Sequence, residues 1–290
     1  MVIVPEKMKN IKITNLKNQV KNLLIEASFY LPDDIIQSIK AARERETNPV
    51  ASRMLDYMLE NEKIARVQKL PLCQDCGTVY INLEIGPDIC LENDFTEVLN
   101  SAVSEVYSEC FLRKSIVSDP LFERKNTLSN IPAIINVSFS SIEGIKIEVN
   151  LKGGGSENCS YLFMLNPSEG QEQIINKVLE VVKGNVTKCC PPVIIGIGIG
   201  ATASEVSRLA RKASFRNLNY RNCDPRYAVL EEKILGLVNE TGIGPQGIGG
   251  KTTALACNIE FAPCHMATLP VAVFLGCHST RRAEKHLDKF

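Results

Sequence analysis

The stretch Leu70-Pro71-Leu72-Cys73-Gln74-Asp75-Cys76-Gly77 runs directly into Thr78-Val79-Tyr80-Ile81-Asn82-Leu83. The second half alternates and is rich in β-branched and aromatic residues, the pattern of a strand. The first half is an apolar, proline-stiffened approach that ends in a cysteine, an amide, a carboxylate and a glycine. A thiolate, a hydrogen-bonding amide and a proton-transfer group are thus presented together where a loop enters a sheet. Such a junction suits a metal-centred site, with Cys73 as a ligand and Asp75 acting on a substrate held there.

Upstream of this stretch the pattern is helical. Leu16, Val20, Leu23 and Leu24 form one apolar face, and Ile35, Ile36 and Ile39 form another after Asp33-Asp34. Asn48-Pro49 fits an N-cap followed by proline at the first helical position. Downstream, Asp94-Phe95-Thr96-Glu97 is an acidic variant of the capping box and opens a helix that ends near Arg113-Lys114. Residues 118–130 read as a polar loop. Pro132 to Ser140 and Ile145 to Leu151 read as two strands, and Lys152-Gly153-Gly154-Gly155-Ser156-Glu157-Asn158 follows them. Consecutive glycines after a strand suit a close approach of backbone to a ligand. A helix is expected over 168–183 with Ser168 and Gln171 as its capping box, and another over 225–237. Strands are expected over 193–199, 252–261 and 269–276, and a short basic helix is expected at the end of the chain. The expected fold is mixed α/β: an N-terminal helical segment (1–66), then a mixed β-sheet domain with packed helices (67–290), the two making one continuous catalytic unit.

Composition narrows the function. The chain has 290 residues, with 33 Lys plus Arg against 33 Asp plus Glu, for a formal net charge of zero. No electrostatic footprint favours nucleic acid or a membrane surface. There is no Trp, and the other aromatic residues are scattered, so a base-stacking platform is not indicated. The N-terminus lacks the basic-then-apolar order of a signal peptide, and the longest apolar run, Pro191 to Ala203, falls short of the ~20 residues of a membrane span. A soluble, cytoplasmic protein is expected. Its 11 cysteines are an odd number without an export signal, which points to reduced thiols, some of them holding metal, rather than a disulfide framework.

Two motifs imitate nucleotide sites. Gly196-x-Gly198-x-x-Ala201 fits the dinucleotide fingerprint, but Asp224 is a poor acidic partner and no clear partner strand follows. A glycine turn for tight strand–helix packing is the plainer reading. Gly250-Lys251-Thr252 resembles the end of a phosphate-binding loop, but Pro245 stands where its first glycine belongs. A zinc site at Cys73-x-x-Cys76 lacks a second close pair, because Cys189-Cys190 and Cys264-His265 are adjacent residues.

Three cysteines remain at loop–strand junctions: Cys73, Cys190 and Cys277. Ferredoxin-type clusters draw ligands from tight local runs. Widely separated ligands imply a cluster assembled by a finished fold, and three thiolates on four irons leave one iron open for substrate.

Several motifs in one order carry a family resemblance: Leu72-Cys73-Gln74-Asp75-x-Gly77, Lys152-Gly153-Gly154-Gly155-Ser156-Glu157-Asn158, Cys190-Pro191-Pro192, and Thr241-Gly242-Ile243-Gly244-Pro245-Gln246-Gly247-Ile248-Gly249-Gly250 continuing through Pro263-Cys264-His265 to Cys277. They resemble the signatures of the class I iron–sulfur fumarases and L(+)-tartrate dehydratases, in their cluster-binding part. The resemblance implies an alpha subunit whose 4Fe–4S cluster is held by Cys73, Cys190 and Cys277. It implies a small dicarboxylic acid as substrate, gripped by the open iron. It further implies proton exchange by Asp75, substrate binding by Gln74 and Arg113, a pocket lined by Gly155, Asn158, Cys159 and Ser160, and a catalytic contact from His265. A beta subunit would carry the missing catalytic part, in a higher-order hetero-oligomer with no nucleic acid or membrane partner. The family usually has threonine where this chain has Cys76, so Cys76, like Cys189, stays open as an alternative ligand. The resemblance does not choose between malate/fumarate and L-tartrate/oxaloacetate. A nicotinamide-dependent oxidoreductase using the Gly196 turn and a non-catalytic cluster-carrying subunit remain the alternatives.

Overall fold

The structure, a computed structural model, describes residues 9–11, 13–91 and 94–288. In chain order its elements are β1 (Lys9–Ile11), α1 (Ile13–Phe29), α2 (Asp33–Arg45), α3 (Pro49–Gln68), β2 (Thr78–Ile85), β3 (Ile89–Leu91), α4 (Phe95–Glu109), β4 (Ile134–Phe139) and β5 (Ile145–Lys152). They continue with α5 (Gly154–Glu157), β6 (Ser160–Leu165), α6 (Gly170–Asn185), β7 (Val193–Gly200), α7 (Ala203–Phe215), α8 (Pro225–Asn239), β8 (Ala254–Ala262), β9 (Leu269–Gly276) and β10 (Arg281–Leu287). The chain is a mixed α/β protein in which the helices α1, α2 and α3 follow the short β1 and precede the main sheets, as the helical sequence pattern of this segment indicates. Among the described residues no helix is long and apolar enough to cross a membrane.

The residues fall into two compact units. The first contains the chain up to Pro32, Ala65–Gly153 and the segment from Arg281 on; the second contains Asp33–Ile64 and Gly154–Thr280.

In the first unit four strands pair in the order β10-β5-β2-β4, antiparallel except for the parallel β2–β4 contact. Alternate residues Ile145, Ile147, Val149 and Leu151 of β5 face inward with Val79, Ile81 and Leu83 of β2. They meet Leu16, Val20, Leu23 and Leu24 of α1 and Leu99, Val103, Val106 and Tyr107 of α4. The α4 cap is the one its sequence indicates, since the Asp94 carboxylate accepts the Glu97 N–H. The basic C-terminal segment is not a helix. Its Arg, Glu, Lys and Leu residues favour helix locally, yet β10 pairs with the edge of β5, and Lys146 bridges Glu148 and Glu284 at 2.9 Å each. Tertiary pairing overrides the local preference.

In the second unit the order is β6-β9-β7-β8, with β7 and β8 parallel. Every residue of β7 is buried, and its alternation of isoleucine and glycine separates two faces. Ile195, Ile197 and Ile199 pack with Val178 and Val182 of α6 and Ile234 and Val238 of α8. The glycine face receives α7: a methyl on Gly196 would lie 2.2 Å from the Ala210 carbonyl, and one on Gly198 2.2 Å from that of Val206. The glycines therefore serve close strand–helix packing, as the plainer reading holds. The expected lack of a following partner strand is wrong, because β8 supplies it in parallel register. The helix expected at residue 168 begins at Gly170 instead, and the capping box is formed by Asn166 and Glu169 around a short 3-10 turn.

Candidate functional site

The Cys73 loop sits at the head of β2, where Thr78 pairs with Lys152 and Leu151 pairs with Arg281. Three strand ends of the first unit meet there. The loop is pinned from below. The Tyr107 hydroxyl donates to the Cys76 carbonyl at 2.9 Å and the Gly77 carbonyl at 3.1 Å, and the buried Asn130 amide also donates to Gly77 at 3.2 Å. Asn130 in turn accepts the Ser115 N–H at 2.8 Å, and the Arg113 N–H reaches Cys76 Sγ at 3.2 Å. The segment after α4 is thereby fastened to the loop, with the Arg113 backbone against Cys76. Gln74 and Arg113 are exposed, whereas Cys73 and Asp75 are half-buried. Gly77, at φ +80°, turns the chain into the strand and gives its N–H to Asp75 Oδ1 at 3.0 Å.

Cys76 is 2% exposed, and burial pushes its thiol above the usual range. It is a packing residue of the first unit's core. A thiol here accepts the Arg113 N–H, a contact that a threonine hydroxyl could equally make.

In the second unit several candidates collect at one end of the sheet. Ser156 Oγ donates to the Leu275 carbonyl at 2.6 Å, Cys189 Sγ to the same carbonyl at 3.3 Å, and the Leu275 N–H to the Cys159 carbonyl at 3.1 Å. These bonds draw α5, residues 186–190 and the end of β9 together, and with them Gly155, Asn158, Ser160, Cys190 and Cys277. Gly155 lies so near the Lys188 carbonyl that a methyl on it would be 3.0 Å away. The two cysteines of the 189–190 pair differ sharply. Cys189 is 1% exposed inside the core, and its neighbour Cys159, together with burial, holds its thiol far above the usual range. Cys190 is exposed, at φ +50°. Its carbonyl accepts His278 Nδ1–H at 2.9 Å, which ties it to the residue following Cys277. Pro191 is held by the Gln246 N–H at 2.8 Å, so the long glycine loop supports this corner.

The Cys159 side chain points into the core, with Sγ donating to Asn185. His265 lies between β8 and β9, at the opposite end of the sheet from Cys190 and Cys277. The intervening eight residues of β9 span roughly 26 Å. His265 Nδ1 accepts the Ala267 N–H at 3.2 Å, which places the ring proton of the neutral form on Nε2. All eleven cysteines are free thiols. Among the described residues no group of three His, Cys, Asp or Glu side chains converges as a single metal ion requires.

Sequence reasoning missed Tyr107, Asn130, His278 and Arg281. Tyr107 reads as one more apolar position of α4, Asn130 as loop, and Arg281 as part of a basic tail.

The pattern of the fumarate hydratase (Fumerase) family matches residues 17–286. A Methanocaldococcus jannaschii protein provisionally named L(+)-tartrate dehydratase subunit alpha is 38% identical over 279 residues, covering 94% of this chain and 97% of that protein. The L(+)-tartrate dehydratase subunit alpha of Escherichia coli K12 is 30% identical over 282 residues, covering 97% of this chain and 93% of its own length. On this near full-length similarity the chain belongs to the fumarate hydratase (Fumerase) family of hydro-lyases.

Proposed function

We propose that this chain is the alpha subunit of an iron–sulfur hydro-lyase that reversibly dehydrates a small 2-hydroxy dicarboxylic acid, malate to fumarate or L-tartrate to oxaloacetate. The observation that carries the reading beyond family membership is the construction at the head of β2. There a thiol, an amide, a carboxylate and an arginine share one pinned loop cluster. These are the groups needed to hold a carboxylate substrate and to move a proton at its hydroxyl.

Cys73, Cys190 and Cys277 would hold a 4Fe–4S cluster. The donor chemistry supports that set: these thiols stand at strand ends and are exposed or half-buried, whereas Cys76, Cys159, Cys189 and Cys257 are buried in the cores. When bound, the cluster supplies a Lewis-acidic iron that polarises the departing C–O bond. Asp75 exchanges a proton with the substrate hydroxyl, its carboxylate held in place by the Gly77 N–H. Gln74 hydrogen-bonds the substrate, and Arg113 offers a fork of donors to one of its carboxylates. Gly155, Asn158 and Ser160 contribute to the pocket wall. The base for the adjacent C–H comes from a beta subunit, by the same family resemblance.

The test is anaerobic co-expression with the partner chain, reconstitution with iron and sulfide, and assay on malate and on L-tartrate. Brown protein with turnover of one acid by the complex, and none by the isolated chain, is expected. Colourless, iron-free protein after reconstitution, or a complex inert on both acids, would overturn the reading.

A further inference from the structure

The head of the first unit's sheet holds a cation that the roles above leave unused. Arg281 opens β10 opposite Leu151. It is 2% exposed and stands first among the fully buried side chains by volume. Among the described residues its Nε–H has no hydrogen-bond partner. A guanidinium taken out of water with a donor to spare is costly unless a negative group faces it.

The carboxylate at hand is that of Asp75. Gly153 marks the meeting point: a methyl group on its Cα would lie 2.9 Å from Asp75 Oδ2, 3.2 Å from Asp75 Cγ and 3.7 Å from Arg281 Nη2. Carboxylate and guanidinium therefore close on one spot that the missing side chain leaves open. Asp75 Oδ1 is already held by the Gly77 N–H at 3.0 Å. The loop thus grips one carboxylate oxygen, and the cation lies on the side of the other. The Arg281 backbone is held by strand pairing and its side chain is buried, which restrains the guanidinium.

We propose that Arg281 is a positioning residue for Asp75, setting the direction in which that carboxylate meets a hydroxy acid, and that Gly153 lacks a side chain so that the two groups can meet. The kinetic arm of this inference rests on the hydro-lyase reading; the structural arm does not. Arginine suits the task better than lysine because its planar fork restrains a carboxylate in orientation as well as distance.

The test uses Arg281→Met, Arg281→Lys, Asp75→Asn, the Arg281→Met/Asp75→Asn double variant and Gly153→Ala. In the metal-free chain, thermal unfolding of the two single variants and the double variant forms a double-mutant cycle. The double variant is expected to melt well above the temperature that adding the two single shifts gives. In the reconstituted complex, Arg281→Met is expected to lower kcat by about 100-fold, the scale of a small misplacement, with KM within about threefold of wild type. Arg281→Lys should recover part of the loss, and the double variant should be no slower than Asp75→Asn. Gly153→Ala keeps both groups but sets a methyl between them, and should also lower kcat with KM little changed. Additive melting shifts, or wild-type kcat in Arg281→Met, would overturn the proposal. If Arg281→Met does not fold, wild-type kcat in both Arg281→Lys and Gly153→Ala overturns it. A wild-type complex inert on both acids sinks the hydro-lyase reading instead, and the melting cycle still decides the Arg281–Asp75 pair.

Discussion

Tyr107→Phe removes one oxygen from beneath the Cys73 loop and leaves the ring in place. Tyr107 is fully buried, and its hydroxyl serves the carbonyls of both Cys76 and Gly77. Gly77 keeps a second donor in the Asn130 amide, so the loss falls mainly on Cys76. One hydrogen bond contributes about 1 kcal/mol, and a buried acceptor left unsatisfied costs up to about 3 kcal/mol. The expected destabilisation is therefore about 1–3 kcal/mol, or a fall of roughly 2–5 °C in melting temperature for a chain of this size. Burial, followed by the nearby Cys76, raises the phenol above its usual range, so it donates as a neutral group and the effect should not vary between mildly acidic and mildly alkaline pH. The same bonds steady Gly77, whose N–H holds Asp75. The kcat of the reconstituted complex should therefore fall by about tenfold or more, with little change in KM. Calorimetry of the metal-free chain and steady-state kinetics of the complex measure the two effects. A melting temperature within about 1 °C of wild type, the shift of a neutral surface change, together with unchanged kcat, would refute the claim that Tyr107 holds the loop.

Gly196→Ala should lower stability by about 1–3 kcal/mol in thermal unfolding, because its methyl would meet the Ala210 carbonyl 2.2 Å away; an unchanged melting curve would mean that α7 does not rest on that face. Cys277→Ser should yield reconstituted protein without stably bound iron, whereas Cys189→Ser, altering a buried core thiol, should keep its iron; colorimetric iron analysis separates them, and the reverse pattern would reassign the ligand. The hydrogen bond from Lys17 to Glu105, backed by Lys21, lowers the Glu105 carboxyl to about 2. This contribution is fully present above the unfolded value of about 4.3 and is lost as pH falls through about 2. The Glu105 side chain is 38% exposed, so screening keeps the contribution below about 1 kcal/mol. Glu105→Gln should therefore lower the melting temperature slightly at pH 7 and make no difference near pH 2. Arg216→Met should cost about 3–5 kcal/mol, since it strands the buried Glu231 carboxylate that now accepts Arg216 Nη2 at 2.7 Å; denaturant unfolding reports it.

What the sequence determined by itself lies within short reach along the chain. The caps at Asp94 and Asn48, the strand after Gly77, the alternating isoleucines and glycines of β7 and the Cys73-Gln74-Asp75 juxtaposition are all set by neighbours a few residues apart. Local sterics and hydrogen bonds act over that range, so the pattern shows them. Tertiary structure alone decided the rest. Residues 281–287 favour a helix in isolation and become a strand because β5 offers an unpaired edge. The sequence leaves Cys189 open as an alternative to Cys190, and only the fold buries the one beside Cys159 and exposes the other. His265 precedes Cys277 by twelve residues, yet the full length of β9 separates their ends of the sheet. The Cys73 loop depends on Tyr107, Asn130 and Arg281, which lie tens to hundreds of residues away, and what marks them is burial and contact, which do not exist until the chain has folded.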